Sequence, residues 1–241
     1  MFAEKPLPVK RAVNAEFWRA VGDSAPVMLG VLPFGITYGV VGVSLGLTPA
    51  EAILMSLVVC AGAAQFISVT MIGMGVVDFS LIVFTTLLIN LRHLLMGASL
   101  APYLTKVPLG RQAVLAFVLV DESYAIMINR IRARGYDESY QLGTNTALYV
   151  TWATSTILGV AMGEYIPDPL AWGLDFAMPA TFLAMLVPRL VSRTSVAVCL
   201  TAAVIAVASA LYLPGKWYII VACLAASLAG GLLEGGGEDA A

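Results

Sequence analysis

Charged residues interrupt the apolar runs of this chain so seldom that no water-facing surface can be assembled from them. Only 12% of the 241 residues are charged and 60% are apolar, with a mean hydropathy of +0.90; a soluble domain carries about 25% charged residues. Lipid must therefore cover most of the surface. Inside a bilayer every backbone amide needs an internal partner, and helices supply one. The expected fold is all-α, a polytopic helical bundle integral to the membrane.

Crossing a hydrocarbon core of about 30 Å takes roughly 20 helical residues. Candidate segments fall at 25–46, 50–74, 79–101, 112–131, 141–162, 169–187, 195–213 and 217–233, which makes eight expected spans joined by short connections. Residues 1–24 form a cytoplasmic or interfacial N-terminal segment, 25–233 the transmembrane domain, and the glycine-rich, acidic 234–241 a flexible tail. Lys5, Lys10 and Arg11 are followed by no apolar run before Ala25, so the start does not read as a cleavable signal. Residues 14–21, with Phe17 and Trp18 on one side, suit a short interfacial helix. A cytoplasmic N-terminus places Lys5, Lys10, Arg11, Arg19, Arg130, Arg132, Arg134, Arg189 and Arg193 inside. Lys106, Arg111 and Lys216 then lie outside, which is the asymmetry expected of membrane proteins. A re-entrant 50–74 segment would move the Arg130, Arg132 and Arg134 cluster outside, so eight spans with both termini cytoplasmic is the reading adopted.

Several function classes drop out. No continuous basic face exists for nucleic acid. Cys60, Cys199 and Cys223 sit singly in apolar runs, which suits small core residues rather than disulfides or metal ligands. His93 is the sole histidine, with no H-E-x-x-H or C-x-x-C beside it, and no P-loop is present for ATP. Without a nucleophile–base or metal set the chain does not read as an enzyme, and no cofactor is expected.

Polar groups at membrane depth are costly and should face the interior or a wet cavity. Asn90-Leu91-Arg92-His93 lies late in the third segment and Asp121-Glu122-Ser123-Tyr124 within the fourth. Counted back from the outer ends at 1.5 Å per residue, Arg92 and Asp121 reach one level, about 12 Å deep. An ion pair from Arg92 to Asp121 or Glu122 is expected, either as a structural clamp or as a substrate or proton site. His93 is a core histidine or a proton relay. Ala61-Gly62-Ala63-Ala64-Gln65-Phe66 lets a backbone or ligand approach closely at Gly62 and offers the Gln65 amide. Gly30-Val31-Leu32-Pro33-Phe34-Gly35 reads as an interrupted first helix, and Asp175 to Pro179 as an interrupted sixth. Tyr149 and Trp152 either line a path or pack.

Taken together these stretches resemble the AzlC/YgaZ-type large subunits of branched-chain amino-acid permeases. The resemblance rests on Asp23-Ser24-Ala25-Pro26 running into Pro33-Phe34-Gly35, on Ala61 to Phe66, and on Arg92-His93 before Gly97, Ser99 and Leu100. It continues with Asp121-Glu122 and with Leu174-Asp175-Phe176-Ala177-Met178-Pro179-Ala180. It implies a bacterial inner-membrane exporter of branched-chain amino acids and methionine, and with no P-loop for ATP a proton or ion gradient is the expected energy source. It also implies a small hydrophobic AzlD/YgaH-type membrane subunit as partner. The residues read above as candidates for the substrate or ion path are Pro33, Gly35, Gly62, Gln65, Asn90, Arg92, His93, Asp121, Glu122, Tyr124, Trp152, Asp175 and Pro179. A channel-like facilitator for a small neutral solute, or a structural subunit, is the alternative.

Overall fold

The computed structural model describes residues 9–163, 165, 183, 186–187, 190–212 and 217–238. Among the described residues the secondary structure is helical, with no strand. The helices are α1 (Val9–Ser44), α2 (Pro49–Val59), α3 (Gly62–Gly73), α4 (Phe79–Leu100), α5 (Leu109–Phe117), α6 (Asp121–Arg134), α7 (Glu138–Gly163), α8 (Arg193–Tyr212) and α9 (Trp217–Glu238). The chain divides into two compact units, the first holding residues 1–82 and 89–174, the second Val83–Leu88 and the residues from 175 onward.

In the first unit α7 is the central post. Gln141, Thr144, Asn145, Thr151, Ser155 and Thr156 are all buried on it, whereas Val150, Ile157 and Leu158 are exposed. Its polar face thus turns inward and its apolar face outward, as membrane burial demands. α1 lies along α7 in the same direction. A Cβ on Gly143 would meet Phe17 and Ala20, one on Gly35 would meet Ser155, and one on Gly39 would fall 2.5 Å from the Thr156 carbonyl. Glycines on both helices let the backbones touch, which is how membrane helices gain packing energy where lipid is as apolar as the side chains.

That packing corrects the reading of the first segment. α1 is continuous through Pro26 and Pro33, so Pro33 and Gly35 do not interrupt it, and residues 14–21 are its first turns rather than a separate helix. Proline costs one backbone hydrogen bond, and membrane helices tolerate that loss when neighbours hold the helix. Pro33 is exposed, while Gly35 is buried against α7.

The breaks fall elsewhere. The 50–74 segment is two half-helices that turn at Cys60, whose φ of 46° and ψ of 38° place a non-glycine residue in the left-handed region. Thr48 caps α2, its hydroxyl accepting from the Glu51 N–H while Glu51 accepts from the Thr48 N–H at 2.8 Å. α2 starts beside the end of α1, where a Cβ on Gly42 would lie 3.6 Å from Ala52. α3 returns to the same end, where a Cβ on Gly73 would lie 2.8 Å from Leu45. With 11 and 12 residues each arm reaches only about 17 Å, half a hydrocarbon core. This segment is re-entrant, not spanning.

The 112–131 segment does the same from the other end. α5 and α6 meet at Val118–Val120, with no glycine or proline to announce the turn. Arg111 at the start of α5 pairs with Glu138 at 3.2 Å, and Arg130 near the end of α6 pairs with Glu16 at 3.2 Å. Both arms therefore begin and end beside the N-terminal end of α1. Asp78 caps α4 through the Ser80 and Leu81 amides at 3.0 and 3.2 Å. α4 descends from the end of α3 to the N-terminal end, where Leu100 packs with Ala20, Met127 and Tyr140. In chain order α1 to α7 thus read as a palindrome of span, hairpin, span, hairpin, span. Arg111, expected outside together with Lys106, sits instead at the same end as Arg19 and Arg130.

In the second unit α8 and α9 pair through small residues, Gly230 lying against Val198. α8 is a long apolar helix with Leu200, Val204, Val207 and Leu211 exposed. α9 extends through Glu238, into residues expected to form a flexible tail, because a nucleated helix gains a hydrogen bond with each residue added. Asp175 and Pro179 lie outside the described residues.

Candidate functional site

The two hairpin tips approach one another midway along α7. At the first, α3 begins at Gly62 with no side chain capping its amides, so its positive dipole end is open. Gly62 is required there, since a Cβ would lie 2.9 Å from the Trp152 ring. Trp152 donates its Nε1–H to Gln65 Oε1 at 3.0 Å. Gln65 Nε2 donates to Ser56 at 3.0 Å, and Ser56 and Thr156 share a hydrogen bond of 2.8 Å. Tyr149 donates to the Leu57 carbonyl at 2.8 Å, satisfying the end of α2. Phe34 stacks on Phe66 at 4.9 Å and meets Trp152 edge-on at 5.5 Å, with Tyr38 closing the cluster. The result is an apolar aromatic wall under a half-helix N-terminus.

The second tip carries the opposite polarity. Asp121 and Glu122 open α6, where acids complement the dipole, and Ser123 closes the turn by accepting from the Val120 N–H at 3.0 Å. Arg92 on α4 forms a salt bridge with Asp121, whose side chain is only 9% exposed. The Glu122 carboxylate lies within electrostatic range of Cys60 at the first tip. His93 donates to the Asn90 backbone carbonyl and sits within range of Arg92 and Asp121. Asn90 Oδ1 and Arg92 Nε are buried without a partner, an unusual cost at this depth.

The structure thus gathers Gly62, Gln65, Asn90, Arg92, His93, Asp121, Glu122 and Trp152 around the two tips. Tyr124 is in the first turn of α6, and its hydroxyl donates to Ser99 on α4 at 2.9 Å. Pro33 faces away. Arg92 and Asp121 do pair, but not as neighbours on two full spans: Asp121 reaches mid-depth because it starts a half-helix.

Asn145 adds a site residue that charge and depth do not mark. It is fully buried, donates from Nδ2 to the Leu115 carbonyl at the end of α5 at 2.9 Å, and leaves Oδ1 unpartnered. The signal was legible as spacing. Asn145, Tyr149, Trp152 and Thr156 recur at helical intervals and put one polar–aromatic stripe against both hairpins.

Among known proteins, the family model described as AzlC protein matches residues 26–166. A Bacillus subtilis protein named "Branched-chain amino acid transport protein AzlC" is 28% identical over 88% of this chain and 82% of its own length. The Escherichia coli "Inner membrane protein YgaZ" is 26% identical over 84% of each. An Archaeoglobus fulgidus protein described as an uncharacterized membrane protein is 31% identical over 92% of this chain and 95% of its own. No solved structure matches. The matched stretch runs through both hairpins, the Arg92–Asp121 pair and the α7 stripe, and this all-α membrane chain belongs to the AzlC family.

Proposed function

We propose that the chain is the large subunit of a permease that exports aliphatic amino acids, working between the two hairpin tips. The observation that carries this reading is the opposed polarity of the tips. A zwitterion needs donors for its carboxylate, acceptors for its ammonium and an apolar pocket for its side chain. The open α3 amides and Arg92 suit the carboxylate. Asp121, Glu122 and the carbonyl end of α5 suit the ammonium. Phe34, Phe66 and Trp152 offer the apolar wall. Half-helices meeting at mid-depth are the usual way a transporter presents such groups, and tips reached from opposite faces suit alternating access.

Asp121 or Glu122 is the proposed proton carrier, with the Arg92 pair opening or shifting as substrate binds. Asp175 and Pro179 remain proposed contributors from the sixth segment. Orientation follows from charge: Arg19, Arg111, Arg130 and Arg134 share the end that holds the start of α1, which we place in the cytoplasm of a bacterial inner membrane. Export, and an AzlD/YgaH-type small subunit as partner, come from the family resemblance.

Counterflow of labelled leucine in liposomes holding both subunits tests the reading. Unlabelled leucine, isoleucine, valine and methionine inside should each drive uptake, within about tenfold of one another, because one methylene shifts affinity by only about 1–3 kcal/mol. Uptake with no trans-stimulation would point to a channel-like facilitator, and none at all with both subunits present would overturn the proposal.

A further inference from the structure

At the N-terminal end of the first unit, away from the hairpin tips, a pocket of about 340 Å³ opens between α1, α6 and the start of α7. Arg19, Arg130 and Arg134 line it with Asp23, Tyr140 and Ile126. Arg130 is held firmly: one terminal nitrogen donates to the Gly135 carbonyl at 2.9 Å, the other to Glu16 at 3.2 Å, and the guanidinium lies 5.3 Å over the Tyr140 ring. Its Nε is nevertheless buried with no partner. Arg19 is held loosely, 3.7 Å from Glu16 and 3.9 Å from Asp23. Arg134 makes no ion pair among the described residues.

Three guanidinium groups therefore meet two carboxylates, Glu16 and Asp23, leaving one positive charge (3 − 2 = 1) and unspent donors. That is the complement of a singly charged oxyanion, and Arg is the side chain whose forked donors fit phosphate. The setting points to lipid as its source. Trp18 is 68% exposed one residue from Arg19, and exposed tryptophan marks the headgroup level of a membrane protein. Ile126 gives the pocket an apolar wall on the helix that descends into the bilayer. Basic pockets between helices on the cytoplasmic side are where anionic headgroups bind.

We propose that this pocket holds the phosphodiester of an anionic phospholipid and ties the second hairpin to α1. Arg130 is the fixed base of the site; Arg19 and Arg134 close on the phosphate.

The test is native mass spectrometry and thermal unfolding of the detergent-purified chain with phosphatidylglycerol, phosphatidylcholine or inorganic phosphate. Wild type is compared with the Arg19→Gln/Arg134→Gln double variant and with Arg132→Gln, an exposed arginine outside the pocket. The substituted positions are exposed, so unfolding without lipid should match wild type. Phosphatidylglycerol should be retained and stabilising, and the double variant should bind it at least about tenfold more weakly, the loss of roughly one charged hydrogen bond. Arg132→Gln should bind as wild type does. Equal retention of phosphatidylcholine, or equal losses in both variants, would overturn the site. Displacement of phosphatidylglycerol by millimolar phosphate would keep the oxyanion pocket and overturn lipid as its source.

Discussion

Replacing Arg92 by Gln removes the cationic partner of the Asp121 carboxylate, which is 9% exposed, while Arg92 itself is 30% exposed. Removing one partner of a buried pair costs about 3–5 kcal/mol. Two features place this case at or below the low end. The partial exposure of Arg92 means the pair is not fully dry, and the α6 dipole continues to favour Asp121 by up to about 1 kcal/mol. A loss of about 2 kcal/mol is expected for Arg92→Gln. Asp121→Asn should lose about 3 kcal/mol, because no helix end compensates the guanidinium. The Arg92→Gln/Asp121→Asn double variant should recover to within about 1 kcal/mol of wild type, since two neutral amides can bond each other. Thermal unfolding in detergent reads the cycle, with shifts of about 4–8 °C for Arg92→Gln and about 6–12 °C for Asp121→Asn. Losses below about 0.5 kcal/mol that simply add would refute the reasoning, because they would describe a solvated pair. Counterflow by the double variant then separates two roles: full transport reduces the pair to a clamp, and stable protein without transport places it in the cycle.

Trp152→Phe should cost about 1–3 kcal/mol in the same unfolding assay, because it leaves the buried Gln65 Oε1 without its donor. Gly39→Ala should lose about 1–3 kcal/mol through overpacking, with Thr156 O and Val160 N within 2.6 Å of the new methyl. Gly30→Ala, with nothing within 4 Å, should be neutral or mildly stabilising. Net leucine export by Asp121→Asn or Glu122→Gln should lose its dependence on a pH gradient in whichever variant removes the proton carrier. Unchanged pH dependence in both would remove these carboxylates from the coupling.

The membrane class and the Arg92–Asp121 pair were legible in the sequence because each follows from one fact, the cost of charge in lipid. The hairpins were not. An apolar run long enough to cross once is also long enough for two half-helices, and hydropathy does not distinguish them. Cys60 bears no mark of a turn, and neither does Val118 to Val120. Pro33, the strongest breaker by composition, lies inside an unbroken helix, which packs closely on α7 through Gly35 and Gly39. The charge test was blind to the error for a reason of parity. Making the 50–74 segment re-entrant moves the Arg130 cluster to the far side, and making 112–131 re-entrant brings it back. The first correction also carries Arg111 to the side of the N-terminus, so once the second has returned the Arg130 cluster all share one end and the charge asymmetry sharpens. The site followed the same pattern. Depth marks the charged members, whereas Asn145 is uncharged on a mixed helix: its spacing places it on the stripe, and only the end of α5 beside it gives it a partner.

The central claim is that both hairpins are re-entrant and meet between the spans. Labelling of single cysteines by a membrane-impermeant maleimide tests it most directly, in a variant lacking Cys60, Cys199 and Cys223. Thr48→Cys and Val77→Cys flank the first hairpin; Lys106→Cys and Gly135→Cys flank the second. The account predicts that Thr48 and Val77 label from one face of the membrane, and Lys106 and Gly135 both from the other. Labelling of Thr48 and Val77 from opposite faces would mean that the segment spans, and the two-tip site would not exist.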